Sequence, residues 1–249
     1  MDWMPSPHGY SPFVEECWCV EGASTVALSG GVEMVFCLSG EPVVSVDGGA
    51  PLELKTHFLV GGLARNLSIV GDEKSRLLGV RFHPTGIFPY FSMPQMVFYS
   101  GITELDEVWE LVGLGVAQAV CSEGPDVKAA YLAFFDFFCH RKAWLDAQAP
   151  AVIAAVAHLR KSNGDISVEA LSERCGVGRR QLERLFVLRV GVTPKQLART
   201  FRLVHALTRF SRLPFVDTAI SCGFFDQSHL NRDCQLLVGS SPGLLSHHT

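Results

Sequence analysis

"GFFDQSHLNRDCQLLVGSSP", Gly223 to Pro242, repeats in outline an earlier stretch, "GVGRRQLERLFVLRVGVTP", Gly176 to Pro194. Cys222-Gly223 matches Cys175-Gly176 at an offset of 47 residues; Leu230, Gly239 and Pro242 match Leu182, Gly191 and Pro194 at an offset of 48. One residue inserted in the second turn accounts for the change. In the first copy Ser167 can cap a short helix, Val168 to Arg174, and Cys175-Gly176-Val177 makes a tight turn. A helix from about Arg179 to Val190 follows, with Leu182, Leu185 and Phe186 on one face. Two helices joined by a turn of this length form a helix-turn-helix, and the second copy, beginning at Phe215, predicts another. Both copies end in a Ser/Thr-Pro pair, Thr193-Pro194 and Ser241-Pro242, which sets a cap residue before a proline at the first helical position.

Between the copies the pattern predicts one helix, about Pro194 to Arg212. Nineteen residues make a strut of about 28 Å, close to the roughly 34 Å between successive major grooves on one face of a duplex. The charge distribution agrees with a polyanionic partner. From Pro150 onward thirteen Lys/Arg face seven Asp/Glu, a net +6, whereas the first 149 residues carry eight against eighteen, a net −10. Arg180 and Arg184 share the face opposite Leu182 and Phe186, and Arg199 and Arg202 lie along the strut. A purely structural helical array would have no use for that distribution.

Working toward the N-terminus, Ala151 begins a first helix with an apolar stripe of Val152, Ile153, Val156 and Leu159, ended by the Asn163-Gly164 turn. Ala147 to Pro150 is the expected boundary, giving a β-rich sensor and dimerisation domain over 1–149 and a DNA-binding domain over 150–249. In the first domain "STVAL", "VEMVFCL", "PVVSV", "HFLVGGL", "NLSIV" and "RLLGVRF" read as strands between Gly-rich turns. Two helices follow, about Leu105 to Cys121 and Val127 to Asp146, the second unusually aromatic. The expected fold class is α+β: an N-terminal β-barrel with flanking helices, and an all-α C-terminal domain of two helix-turn-helix units joined by a long helix. Trp18, Phe36, Phe58 and Arg81 are candidates to line a ligand pocket in the barrel. No apolar run approaches the roughly 20 residues that cross a bilayer. Eight cysteines match no zinc or compact disulfide spacing, so a cytoplasmic protein is expected.

The stretches "SVEALSERCGVGRRQLERLF", "GVTPKQLARTFRL" and "DTAISCGFFDQSHLNRDCQLLVGSSP" resemble the AraC/XylS family of bacterial transcription regulators over about Pro150 to Leu245, "GF.DQSHL.R" most specifically. The resemblance implies a seven-helix domain bound to double-stranded DNA, contact with RNA polymerase, and a cupin-like N-terminal domain that senses a small-molecule effector. It also implies a homodimer joined through the helices of 105–146. Position by position, the first reading helix presents Arg179, Arg180, Gln181, Glu183 and Arg184, and the second Gln227, Ser228, His229, Asn231 and Arg232, with Arg199 and Arg202 beside them. These side chains have the chemistry to read bases, since Arg pairs with guanine, Gln or Asn with adenine, and Glu accepts from cytosine. Asp233 and Cys234 depart from the pattern at the places of Leu185 and Phe186, so the second reading helix is expected to pack less firmly. Gln235 to Val238 lacks basic residues, so the first unit is expected to do most of the sequence reading.

Catalysis is the competing class: a barrel enzyme, or an alkyl-transfer DNA-repair protein that uses the helical domain for targeting. His57 and His83 stand alone, short of the three or four ligands a metal needs, and neither a metal nor another cofactor is expected. Cys17 and Cys19 sit beside Glu15, Glu16 and Glu21, which disfavour a thiolate. No phosphate-binding loop or nucleophile elbow is present. Gly113-Leu114-Gly115 falls in a helix and reads as a kink or packing site.

Overall fold

The computed structural model describes residues 2–4, 14–22, 24–26, 30–41, 43–46, 50–52, 57–61, 67–70, 73–90, 95–98, 101–105, 112–139, 146–209, 215–239 and 241 of the 249-residue chain. The chain divides into two units. One comprises Met1–Ala27, Gly31–Met93 and Phe98–Trp144, the other Leu28–Gly30, Pro94–Val97 and Leu145–Thr249.

In the first unit the strands are β1 (Asp2–Met4), β2 (Val14–Glu21), β3 (Ser24–Val26), β4 (Glu33–Ser39), β5 (Val43–Val46), β6 (His57–Val60), β7 (Leu67–Val70), β8 (Arg76–Phe82) and β9 (Ile102–Glu104). They form an antiparallel six-stranded sheet, order β1-β2-β8-β4-β6-β9, and a three-stranded sheet, order β3-β7-β5. The expected closed barrel is therefore corrected: among the described residues neither sheet closes on itself. The two are joined instead by an apolar core in which Trp18, Val20, Val35, Phe58, Val60 and Leu77 of the larger sheet meet Val44 and Ile69 of the smaller.

Side chains alternate between the faces of a strand, so β8 sends Leu77, Gly79 and Arg81 toward this core and Leu78, Val80 and Phe82 away from it. The second face is covered as well. Helix α2 (Val127–Cys139) lays Phe134 edge-on to Phe36 at 5.9 Å and to Phe82 at 6.1 Å. Burial on both faces explains why Leu77 to Val80 reads as a continuous apolar run and not as an alternating one. The aromatic character of α2 has the same origin: Tyr131, Phe134, Phe135 and Phe138 are buried within the unit, and Leu132 is half exposed. Helix α1 (Val112–Cys121) comes so close to α2 that a Cβ on Gly115 would lie 3.2 Å from the Phe137 ring, so Gly115 is a packing site. The residues 106–111 and 140–145 of the helices expected here lie outside the described residues.

The second unit is helical: α3 (Ala149–Lys161), α4 (Val168–Arg174), α5 (Arg179–Arg189), α6 (Pro194–Leu207), α7 (Phe215–Ser221) and α8 (Gln227–Leu237). Ser167 accepts the Ala170 N–H and caps α4 as its sequence position predicts. At the start of α6, Thr193 and Gln196 satisfy each other's backbone N–H groups in a capping box. On α3 the inward stripe is Val152, Ala155, Val156 and Leu159, whereas Ile153 is over a third exposed. The linking helix is shorter than the expected Pro194 to Arg212. It ends at Leu207, where the Thr208 and Arg209 N–H groups turn back onto Val204 and Ala206, so its fourteen residues span about 21 Å.

Candidate nucleic-acid interface

The two copies share a backbone as well as a sequence frame. Gly176 (φ +65°) and Gly223 (φ +76°) take the left-handed conformation at the turn, and Gly191 (φ +89°) and Gly239 (φ +76°) take it at the far end of each second helix. This is the region where glycine avoids the Cβ penalty. Val177 N–H donates to Ser172 O at 3.1 Å, and Phe224 N–H to Ala219 O at 3.0 Å. At the far ends Val190 and Gly191 both donate to Phe186 O, just as Val238 and Gly239 both donate to Cys234 O. Leu182 and Leu230, at matching positions, are completely buried.

With the inner faces fixed, the outer faces are determined. On α5, Arg180, Gln181 and Arg184 are exposed and Glu183 is half-buried. Arg179 is exposed too but holds ion pairs with Glu169 and, at 3.1 Å, with Glu183. On α8, Gln227, Ser228, Asn231 and Arg232 are exposed. His229 is half-buried, with its ring edge-on to Phe224 at 5.3 Å and its Nδ1 3.4 Å from the Phe225 N–H. It braces the turn from within.

Arg199 and Arg202 are engaged inside the domain. Arg199 donates from Nη2 to Asp233 Oδ1 at 2.6 Å and from Nε to Oδ2 at 3.2 Å. The hydrogen bond to Asp233 raises the Arg199 pKa above the usual guanidinium value. Arg202 donates to Gly164 O at 2.8 Å and lies over the Phe224 ring. The expectation that Asp233 loosens the second reading helix is thereby corrected: Asp233 is 1% exposed and clamps α8 to α6, while Cys234 packs with Leu203, Phe224 and Leu230. Burial, with Asp233 alongside, pushes the Cys234 thiol up to about 12 and keeps it protonated.

A cleft of about 560 Å³ opens beside α6, with Lys195, Arg179, Arg199, Arg202 and His229 in its walls against a single acid, Glu169. Lys195 is exposed and is not among the site residues expected from the sequence, although its place in the first turn of the linking helix marks it.

In the first unit the expected pocket residues fall on two faces of the larger sheet, Trp18, Phe58 and Arg81 on one and Phe36 on the other. Trp18 and Phe58 fill the core between the sheets, while Phe36 faces α2. Trp18 is fully buried and its indole N–H donates to Glu33 Oε2 at 2.8 Å. Arg81 pairs with Glu33 at 2.6 Å and also with Glu16. Burial lowers the Arg81 pKa, but the Glu33 and Glu16 carboxylates outweigh it and the net shift is upward.

Burial pushes the Cys17 thiol well above its usual range, with the Glu16 charge adding to the effect. Cys121 Sγ lies 3.6 Å from His57 Nδ1, yet its pKa is also raised by burial, to about 11. Among the described residues, no group of three or more His, Cys, Asp or Glu could hold a metal ion, and no helix is long and apolar enough to cross a membrane. His247-His248 and Pro242 lie outside the described residues.

Two helix-turn-helix units on one helical frame define a double helix-turn-helix module. Residues 171–246 match a family model described as a helix-turn-helix domain. Residues 3–101 match a model described as a domain of unknown function (DUF6597). No curated protein matches the chain.

Similar solved structures include a transcriptional regulator with an AraC-type DNA-binding domain from Chromobacterium violaceum, 25% identical over 39% of this chain and 90% of that one, TM-score 0.38. The C-terminal domain of the response regulator AraT from Geobacillus stearothermophilus is 21% identical over 42% and 89%, TM-score 0.38. ToxT from Vibrio cholerae O395, bound to (E)-4-(8-methylnaphthalen-1-yl)but-3-enoic acid, is 13% identical over 94% and 98%, TM-score 0.47.

Proposed function

We propose that this chain is a sequence-specific, DNA-binding regulator of transcription that acts in the cytoplasm and sets α5 and α8 into successive major grooves of one duplex. The observation that carries this reading is the doubled turn geometry, with buried leucines on one side of each second helix and exposed Arg, Gln and Asn on the other. Arg180, Gln181, Glu183 and Arg184 read the first groove, and Gln227, Ser228, Asn231 and Arg232 the second. Arg199, Arg202 and His229 hold the frame, and Arg179 and Lys195 face the phosphates between the grooves. Helix α6 spans about 21 Å, less than the roughly 34 Å groove repeat, so engagement of two grooves requires bending of the duplex.

Residues 1–149 form the controlling domain, through a small-molecule effector, dimerisation by the helices of 105–146, or contact with RNA polymerase. The first unit's described interior holds a Trp18–Glu33–Arg81–Glu16 network that is already mutually satisfied, so an effector binds elsewhere than on those four groups.

Each phosphate neutralised adds about −0.9 to the slope of log affinity against log salt. Titration of duplex DNA at a series of salt concentrations is therefore expected to give a slope of about −2 or steeper, from Arg179 and Lys195 alone, and a flat response would overturn the proposal.

A further inference from the structure

The second turn is one residue longer than the first, and the structure identifies the extra residue. Val177 and Phe224 are equivalent, because each donates its N–H to the matching carbonyl, Ser172 or Ala219, of the preceding helix. Gly178 and Asp226 are equivalent as the N-caps of α5 and α8. One residue, Gly178 itself, follows Val177 to reach the cap; two follow Phe224. The insertion is Phe225.

Phe225 is 90% exposed, the most exposed of the large apolar side chains described. Its presentation is also firmly held. The Asp226 carboxylate caps α8 at the His229 N–H, 2.6 Å away, Phe224 is buried with its ring against His229, and the Phe225 N–H faces His229 Nδ1. The backbone that carries this exposed ring is thus held just before Gln227 and Ser228, at the N-terminal end of the reading helix, the end that meets base edges in a helix-turn-helix.

We infer that Phe225 is a specificity-determining residue that packs on the C5-methyl group of a thymine in the second major groove. The inference rests on the DNA-reading proposal above. Its chemistry is that of the groove: the thymine methyl is the one apolar group a base pair displays there, and an aromatic ring is among the side chains that recognise it. The polar neighbours Gln227 and Ser228 have hydrogen-bonding partners on base edges and phosphates, whereas a phenyl ring has only the methyl. Phe225 immediately precedes the Asp226 cap, next in the chain to those exposed neighbours, so the duplex they read is assigned as its occupant in preference to a protein.

The test uses the full-length protein and a duplex recovered from a random pool, with each thymine of the second half-site replaced in turn by uracil, which lacks only the methyl group. The wild type is expected to lose about fourfold in affinity at one thymine, the equivalent of one buried methyl group. Phe225→Ala is expected to bind the thymine duplex several-fold more weakly and to be indifferent to that replacement, with an unchanged melting temperature because the ring is exposed. Phe225→Leu is expected to retain part of the methyl dependence.

If Phe225→Ala binds as the wild type does, or keeps the full methyl dependence, the inference is wrong. If the wild type fails to bind any duplex, the DNA-reading proposal falls and this inference falls with it.

Discussion

Asp233→Ala is expected to destabilise the helical unit by about 3 kcal/mol, toward the lower end of the range for removing one partner of a buried ion pair. The lower end applies because the Arg199 head is one-third exposed and can recover water, whereas Asp233 itself is 1% exposed. Loss of the carboxylate leaves a guanidinium between α6 and α8 with its two hydrogen-bond acceptors removed. The second helix-turn-helix has no Phe at this level of its core; Cys234 stands where the first has the fully buried Phe186. The ion pair supplies the interhelical tie that a larger apolar side chain supplies in the first copy.

Chemical denaturation followed by helical circular dichroism measures the loss, and hydrogen exchange over residues 227–237 locates it. The double variant Arg199→Leu with Asp233→Leu is expected to recover much of the stability, since a well-packed apolar pair can replace a buried ionic one. A single variant within about 0.5 kcal/mol of wild type, the ordinary range for a surface substitution, would remove Asp233 from the frame.

Gly79→Ala is expected to cost about 3 kcal/mol in the first unit, at the upper end of what one extra methyl group costs in a packed core. A Cβ on Gly79 would lie 2.0 Å from Trp18 Cε2 and 2.1 Å from Cζ2. The indole cannot retreat: it is fully buried, sits opposite Gly79 in the β2–β8 register, and is held by its N–H bond to Glu33. The backbone of β8, central in the sheet, must shift instead. Hydrogen exchange over residues 14–21 and 76–82 is expected to accelerate, with exchange over 168–189 unchanged. Equal acceleration in both segments, or in neither, would contradict the assignment of Gly79 to a core contact of the first unit alone.

Legibility differs between the two parts for physical reasons. In the helical part the signals are local: Thr193-Pro194 caps one helix, Gly176 and Gly223 turn the chain, and leucines recur at helical spacing, so element order and the reading faces follow from the residues. Long-range partners do not. Asp233 and Arg199 are 34 residues apart, and Asp233 in isolation reads as a defect when it is half of a clamp. Arg199 and Arg202 read as DNA contacts along the strut because helical periodicity gives a face but not what lies against it.

In the N-terminal part six strands are recognisable from their apolar runs, yet β2 is not, since "VEECWCVE" mixes acids into its inward face. One of those acids, Glu16, is a partner of Arg81, another pairing of distant residues. Sheet closure depends on which edges pair, which no strand carries in its own sequence; hence the barrel expected and the two open sheets found.

Selection of bound duplexes from a random DNA pool by the full-length protein tests the central claim most directly. Two helices set by one frame against one duplex predict two conserved blocks whose centres lie one helical turn, about 10 base pairs, apart. Recovery of a single block, of two blocks at variable spacing, or of no preferred sequence would contradict the two-groove account.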